Sequence, residues 1–125
     1  MFDHLSVGVR DLAAGRRFYD AFFGPLGAGL LSEKPGELGY GRPEVGSAFF
    51  LYPVAEGPVA GQGAHIAFTA NSRETVDAVY AQALARGATP LRAAGPHPDI
   101  APDYYGAVLL DPDGNKLEVV HDTMH

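Results

Sequence analysis

The chain contains no cysteine among its 125 residues. Disulfide bonds, thiolate zinc sites and cysteine nucleophiles are therefore all excluded. Positive charge is scarce as well, because nine Lys and Arg residues stand against fifteen Asp and Glu residues and give a formal net charge of −6. Since nucleic-acid binding depends on cationic side chains that neutralise phosphates, this balance disfavours a nucleic-acid partner.

Long hydrophobic segments are also missing. No apolar run approaches the roughly 20 residues of a membrane span, and the opening residues MFDHLSVGV lack the basic and apolar regions of a signal peptide. We therefore expect a cytoplasmic protein without a membrane partner. With 46% hydrophobic residues, the chain is long enough to bury a core, and we predict a single domain over 1–125.

Two segments of the chain resemble each other. They are DHLSVGVRDLAAGRRFYDAFFGPLGA, from residue 3, and AHIAFTANSRETVDAVYAQALARGA, from residue 64. Each has a His before a strand-like apolar stretch, a Tyr fifteen residues after that His, and a Gly-Ala pair where a helix would stop. Such a repeat indicates a duplicated unit. We predict two modules, about 1–57 and about 63–121, each with the element order βαβββ.

The secondary structure follows from hydrophobic periodicity, caps and turns. In the first module we predict strands over 2–9, 28–33, 37–42 and 47–53, and a helix over 12–23 capped by Asp11. In the second module we predict strands over 63–69, 89–92, 104–110 and 115–121, and a helix over 72–86 with a capping box of Asn71 and Glu74. The Gly- and Pro-rich segment 53–63 is predicted to link the modules, and 93–105 to be largely an irregular loop.

Three ionisable side chains are predicted to share the sheet face that carries small residues. They are His4, His65 and Glu118, and the bulky residues at alternate positions are expected to pack on the helix of the same module. An ionised carboxylate is costly to remove from water unless something pairs with it. Two imidazoles and one carboxylate are the ligand set of a facial metal site, so these residues form a candidate site for a divalent metal ion.

Each of these residues also has a structural alternative. A strand His is commonly held by hydrogen bonds without binding metal. Glu118 can face solvent, or pair with Lys116 or an Arg. The joint pattern favours the metal site, because His4 and His65 occupy equivalent positions of the repeat.

At these residues the sequence resembles the vicinal oxygen chelate superfamily of glyoxalase I, extradiol dioxygenases and bleomycin-resistance proteins. The resemblance covers essentially the whole chain and is most specific in YYGAVLLDPDGNKLEVV, which resembles the closing hairpin of the family. It implies an α+β fold in which two βαβββ modules form a cupped mixed sheet around a cavity, with the helices on the outer face. It also implies a homodimer.

The resemblance implies that His4, His65 and Glu118 are metal ligands. Glyoxalase I has a further ligand on its fourth strand, and the matching place in this sequence is Phe50 or Phe49, neither of which can bind a metal ion. The set that remains resembles the two-His, one-Glu iron site of extradiol dioxygenases.

Other residues are candidates for catalysis and for substrate binding. Extradiol dioxygenases use additional acid–base His and Tyr residues, and Tyr104, Tyr105 or His97 could take such a role here; Tyr105 is our candidate catalytic residue beside Glu118. Phe50, Tyr104 and His97 are candidate substrate contacts.

Two functions fit this sequence. The first is a glyoxalase- or dioxygenase-like enzyme in which iron, manganese, nickel, cobalt or zinc chelates and polarises an oxygen-bearing substrate; it would be a lyase, an isomerase or a ring-cleaving dioxygenase. The alternative is a metal-free protein that binds a small molecule, as bleomycin-resistance proteins do. Either function predicts a small-molecule partner, while the homodimer is implied by the resemblance.

Overall fold

A computed structural model of the protein describes residues 1–121. In this range the first module contains β1 (Leu5–Val9), α1 (Leu12–Phe23), a 3-10 turn (Gly24–Leu26), β2 (Gly29–Lys34), β3 (Glu37–Arg42) and β4 (Gly46–Pro53). The second contains β5 (Ile66–Thr69), α2 (Arg73–Ala85), β6 (Thr89–Pro96), β7 (Tyr105–Leu110) and β8 (Lys116–His121). The predicted order βαβββ, repeated once, is confirmed.

Each module builds its own four-stranded mixed sheet. The strand order is β1-β4-β3-β2 in the first sheet and β5-β8-β7-β6 in the second. The pairs β1–β4 and β5–β8 are parallel, and the remaining pairs are antiparallel. The strands β1 and β5, which carry equivalent parts of the repeat, are therefore edge strands of the two sheets. The α+β fold of two similar modules is as predicted.

The helix α1 has the predicted bounds because its sequence marks both ends. Asp11 is the N-cap and its side chain accepts a hydrogen bond from the backbone N–H of Ala14 at 3.3 Å. The helix ends at Phe23, before a Gly-Pro pair that continues as the 3-10 turn. Its buried residues recur at helical spacing and form one apolar face, consisting mainly of Phe18, Tyr19, Phe22 and Phe23.

Several predicted boundaries are wrong. The strands β1 and β5 begin at Leu5 and Ile66, each three residues after its predicted start. The N-cap of α2 is Ser72, whose hydroxyl accepts from the backbone N–H of Thr75 at 3.0 Å, whereas Asn71 accepts from the Thr75 hydroxyl. The strand β6 continues to Pro96, past the predicted end at residue 92. Because β6 lies at the edge of its sheet, a proline there does not interrupt a ladder between two neighbours.

The two modules share one hydrophobic core. The helices contact each other, and each packs on the sheet of its own module. Phe68 on β5 lies with its ring centroid 5.2–5.6 Å from those of Phe22, Phe23 and Phe49 in the first module. Complete burial of a side chain such as Phe22 contributes about 1.5–3 kcal/mol. This shared aromatic cluster holds the modules together. Neither helix in residues 1–121 is long and apolar enough to cross a membrane.

The turn between β7 and β8 in the second module is hydrogen-bonded to the first module. Its residues 111–115, DPDGN, include Gly114 with φ of 92°, a conformation that suits glycine. The hydroxyl of Tyr19 on α1 donates to Asp111 Oδ2 at 2.6 Å, and Asn115 Nδ2 donates to the carbonyl of Gly8 on β1 at 2.8 Å. These bonds fix the start of β8, and hence Glu118, relative to β1.

Candidate functional site

His65 and Glu118 lie together on the second sheet. His65 immediately precedes β5, and Glu118 is on the neighbouring strand β8, where it is the register partner of Ala67. His65 Nε2 is 3.4 Å from Glu118 Oε1. The side chain of Glu118 is only 16% exposed, so it is not a solvated surface group. The predicted pair of one His and the Glu is thus present.

Tyr104 is hydrogen-bonded to the other oxygen of the Glu118 carboxylate. Its hydroxyl donates to Glu118 Oε2 at 2.6 Å, and the residue is 3% exposed. Gly106 makes this possible, because a Cβ atom at that position would lie 2.6 Å from the Tyr104 hydroxyl oxygen. Both oxygens of Glu118 therefore have a defined neighbour.

The segment that leads to Tyr104 is attached to β6. Arg92 Nη2 is 2.9 Å from Asp99 Oδ2, and this hydrogen-bonded guanidinium lowers the pKa of Asp99 below its ordinary value. A ring nitrogen of His97 is 2.8 Å from the carbonyl oxygen of Ala93, and the His97 ring lies 5.8 Å from that of Tyr104. The predicted substrate contacts His97 and Tyr104 are thus neighbours.

The first module has the same strand pairing as the His65–Glu118 pair but carries a different side chain at the position of the carboxylate. Phe50 pairs in register with Ser6 on β1, as Glu118 pairs with Ala67 on β5. The ring of His4 meets that of Phe50 edge to face at 5.6 Å. Phe50 therefore takes the place that a carboxylate holds in the second module. Phe49 lies in the core instead.

The structure does not bring His4 to His65 and Glu118 within one chain. Among residues 1–121, no three His, Asp or Glu side chains are grouped so that they could hold a metal ion. His4 lies beside Asp3, with 2.6 Å between His4 Nδ1 and Asp3 Oδ1, and its side chain is 58% exposed.

Tyr105 lies away from the Glu118 carboxylate. Its hydroxyl donates to Asp77 Oδ1 on α2 at 2.7 Å, and the Arg73 guanidinium lies 4.8 Å from its ring centroid. The Tyr105 side chain therefore faces α2. In the structure it is Tyr104, and not Tyr105, that contacts Glu118. The alternation of side chains along β7 is the signal that separates the two tyrosines.

A cavity of about 340 Å³ opens between the modules. Its lining is mainly apolar and includes Phe23, Phe49 and Phe68, with Arg42 and His4 also present. In the described part of the chain, its lining includes neither His65 nor Glu118. The volume lies within the usual range for small-molecule pockets.

The model of the Glyoxalase/Bleomycin resistance protein/Dioxygenase superfamily matches residues 1–119. The chain belongs to this superfamily. It therefore has the fold of a family of small-molecule enzymes and binding proteins. Comparison with curated proteins gives no significant match.

Solved structures of the superfamily share the fold over nearly the full chain. A glyoxalase/bleomycin resistance protein from Albidiferax ferrireducens T118 is 35% identical with a TM-score of 0.84, and 98% of each chain is covered. A glyoxalase/bleomycin resistance protein/dioxygenase family enzyme from Burkholderia phytofirmans PsJN is 22% identical with a TM-score of 0.71, covering 95% of this chain and 96% of that one. A glyoxalase-related enzyme from Fulvimarina pelagi is 21% identical with a TM-score of 0.76, covering 98% and 88%.

Proposed function

We propose that the protein is a small-molecule enzyme that works with a divalent metal ion bound by His65, Glu118 and His4. The observation that carries this proposal is the 3.4 Å separation between His65 Nε2 and Glu118 Oε1. The superfamily generally binds divalent metals, which supports the same proposal.

The His65–Glu118 pair has the spacing of two ligands of one ion. Nitrogen and oxygen ligands lie about 2.1 Å from such an ion, so two of them are about 3.0 Å apart at a right angle and about 3.4 Å apart at a tetrahedral angle. A cation there would also offset the desolvation of the largely buried Glu118 carboxylate. The donor set and its spacing therefore fit a divalent ion, with a third ligand still required.

We propose that the third ligand is His4 of a second copy in a homodimer. The exposure of His4 leaves it available to such a partner, and members of the superfamily often form dimers. In a dimer with twofold symmetry, each chain would contribute its His4 to the site of the other chain, so both sites would be completed in the same way.

The side chains around the pair define what this site can do. When bound, a divalent ion polarises substrate oxygens and stabilises negative charge that develops on them. Three side-chain ligands leave positions open for an oxygen-bearing substrate. Glu118 is the proposed catalytic group, and Phe50 beside His4 adds an apolar wall in place of a fourth ligand. The reaction would be a lyase, isomerase or ring-cleaving dioxygenase step with iron, manganese, nickel, cobalt or zinc.

Metal content tests the His65–Glu118 pair. Untagged protein purified without chelator is analysed by elemental mass spectrometry beside His65→Ala and Glu118→Ala, and we expect near-stoichiometric metal only in the native protein. Glu37→Gln is a matched control, because Glu37 Oε2 also accepts a tyrosine hydroxyl, that of Tyr52 at 2.9 Å, but in the first module. A native protein without metal, or equal loss in the control, would contradict the proposal.

Mixing two variants tests the contribution of the second copy. His4→Ala and Glu118→Ala each lack a ligand, yet a mixed dimer retains one complete site. After unfolding and refolding together, about a quarter of the sites should bind metal, because half of the dimers are mixed and each restores one of two sites. No recovery in a mixture shown to contain mixed dimers would mean that His4 is not supplied across the interface.

The alternative is a metal-free binding protein, and the cavity between the modules favours it. Its apolar lining includes neither His65 nor Glu118, so a ligand could bind there without contact with those two side chains. In that case Glu118→Ala would bind the small molecule as tightly as the native protein does. Parallel thermal-shift screens of the two proteins against small apolar compounds would show this.

A further inference from the structure

The two oxygens of Glu118 have different neighbours. Oε1 faces the His65 ring nitrogen, while Oε2 accepts the Tyr104 hydroxyl at the shorter distance of 2.6 Å. A bond of this length between a hydroxyl and a carboxylate is among the stronger hydrogen bonds in proteins. It fixes the rotation of the carboxylate, because the Tyr104 hydroxyl holds Oε2 while Oε1 remains directed at His65.

We propose that Tyr104 is a positioning residue for the metal site, through its bond to Glu118. This inference rests on the proposed function, since it assigns Oε1 and the His65 nitrogen to one ion and Oε2 to Tyr104. Partners of this kind orient a ligand before the ion arrives and strengthen metal binding. The role differs from the substrate contact predicted for Tyr104, because the residue acts through Glu118.

Burial of the tyrosine supports this role. Tyr104 is almost fully buried, and its hydroxyl lies in the space that the missing side chain of Gly106 leaves. A residue that is so enclosed has little freedom to turn toward a substrate. Its ring also contacts His97, which is bound to the carbonyl of Ala93 on β6. The hydroxyl is therefore held in place by the strand and by the loop that precedes it.

Titration with Co²⁺ alone tests the inference without measuring activity. The metal-free native protein, Tyr104→Phe and Tyr105→Phe are titrated with CoCl₂ while the visible absorption of bound Co²⁺ is recorded. Tyr105→Phe is a matched control, because it removes a neighbouring hydroxyl that donates to a carboxylate on the helix side, Asp77. Urea unfolding of each metal-free protein shows whether the variants are folded.

We expect Tyr104→Phe to bind Co²⁺ about 10- to 100-fold more weakly, with a changed visible spectrum, at the native stoichiometry. Tyr105→Phe should match the native protein in both readouts. Native affinity and spectrum in Tyr104→Phe would overturn the positioning role and leave the metal site standing. Equal weakening in both variants would overturn it too. Absence of Co²⁺ binding by the native protein would overturn both the proposed function and this inference.

Discussion

The two modules place a His at the same point of the same fold but give it different neighbours. In the first, His4 meets the Phe50 ring; in the second, His65 meets the Glu118 carboxylate. The register is equivalent, since Phe50 pairs with Ser6 as Glu118 pairs with Ala67. The two similar modules thus share one strand pairing but place a carboxylate beside one His and an apolar ring beside the other.

A second difference lies in the turn before the last strand of each module. In the second module, Asp111 and Asn115 fasten that turn to α1 and β1. In the first module, Arg42, Val45 and Gly46 at the corresponding turn line the cavity between the modules. The fastened turn precedes the strand that carries Glu118. The turn of the second module therefore leads into the strand that carries the carboxylate, whereas the turn of the first module lines the cavity.

Removing the hydrogen bonds of Asp111 in the turn before β8 should have the largest effect on stability. Asp111 is 2% exposed and accepts four hydrogen bonds, from the Tyr19 hydroxyl, the backbone N–H groups of Asp113 and Asn115, and the Asn115 amide. Asp111→Ala leaves these donors without their acceptor, so we expect a loss of about 3 kcal/mol or more in the free energy of unfolding. Urea unfolding measures it. Glu44→Ala, in the exposed turn of the first module, is the control, and equal losses would contradict the difference between the turns.

Alkaline pH should weaken the hydrogen bond between Tyr19 and Asp111. Burial raises the pKa of Tyr19 well above its ordinary value, and the charge and hydrogen bond of Asp111 raise it further. The folded pKa is above the unfolded one, so this stabilisation is complete below about pH 10 and is lost as pH rises toward the folded pKa. Above pH 10, Tyr19→Phe should lose about 1.4 kcal/mol less per pH unit than the native protein. Urea unfolding between pH 8 and 11 tests this, and equal slopes would exclude Tyr19 as the cause.

The sequence predicted the fold where local signals agreed. Asp11 and the Gly-Pro pair after Phe23 marked both ends of α1. At α2, Asn71 and Ser72 are adjacent and both suit an N-cap, so the sequence alone did not separate them. The end of β6 was missed because the tolerance of Pro96 depends on an edge position, which is a property of the sheet.

The site was predicted in part for a related reason. Alternation placed His65 and Glu118 on one face, and the structure pairs them. Tyr104 and Tyr105 were harder to assign, since a shift of one residue at the start of a strand exchanges the faces. The position of His4 relative to Glu118 depends on how two separate sheets are arranged, which periodicity within a strand does not encode.

Changing Phe50 should show whether the two His positions belong to one site. Phe50→Glu gives the first module the residue type that the second has beside its His. If His4 completes the His65–Glu118 site, a further carboxylate there should strengthen Co²⁺ binding about tenfold without raising the stoichiometry. Titration with CoCl₂ measures both quantities. Phe50→Leu controls for the loss of the ring without adding a ligand, and a doubled stoichiometry would instead mean two independent sites.

The smallest effect should come from the ion pair between Arg92 on β6 and Asp99 in the loop that precedes Tyr104. Asp99 is exposed, and exposed ion pairs contribute little, so we expect Asp99→Ala to weaken Co²⁺ binding less than about fivefold. If this pair acts through Tyr104, adding Asp99→Ala to Tyr104→Phe should cause no further loss. Glu33→Ala removes a comparable ion pair, with Arg16, in the first module and should leave Co²⁺ affinity unchanged. If the losses of Asp99→Ala and Tyr104→Phe add, the loop reaches the metal site by a route other than the Tyr104 hydroxyl.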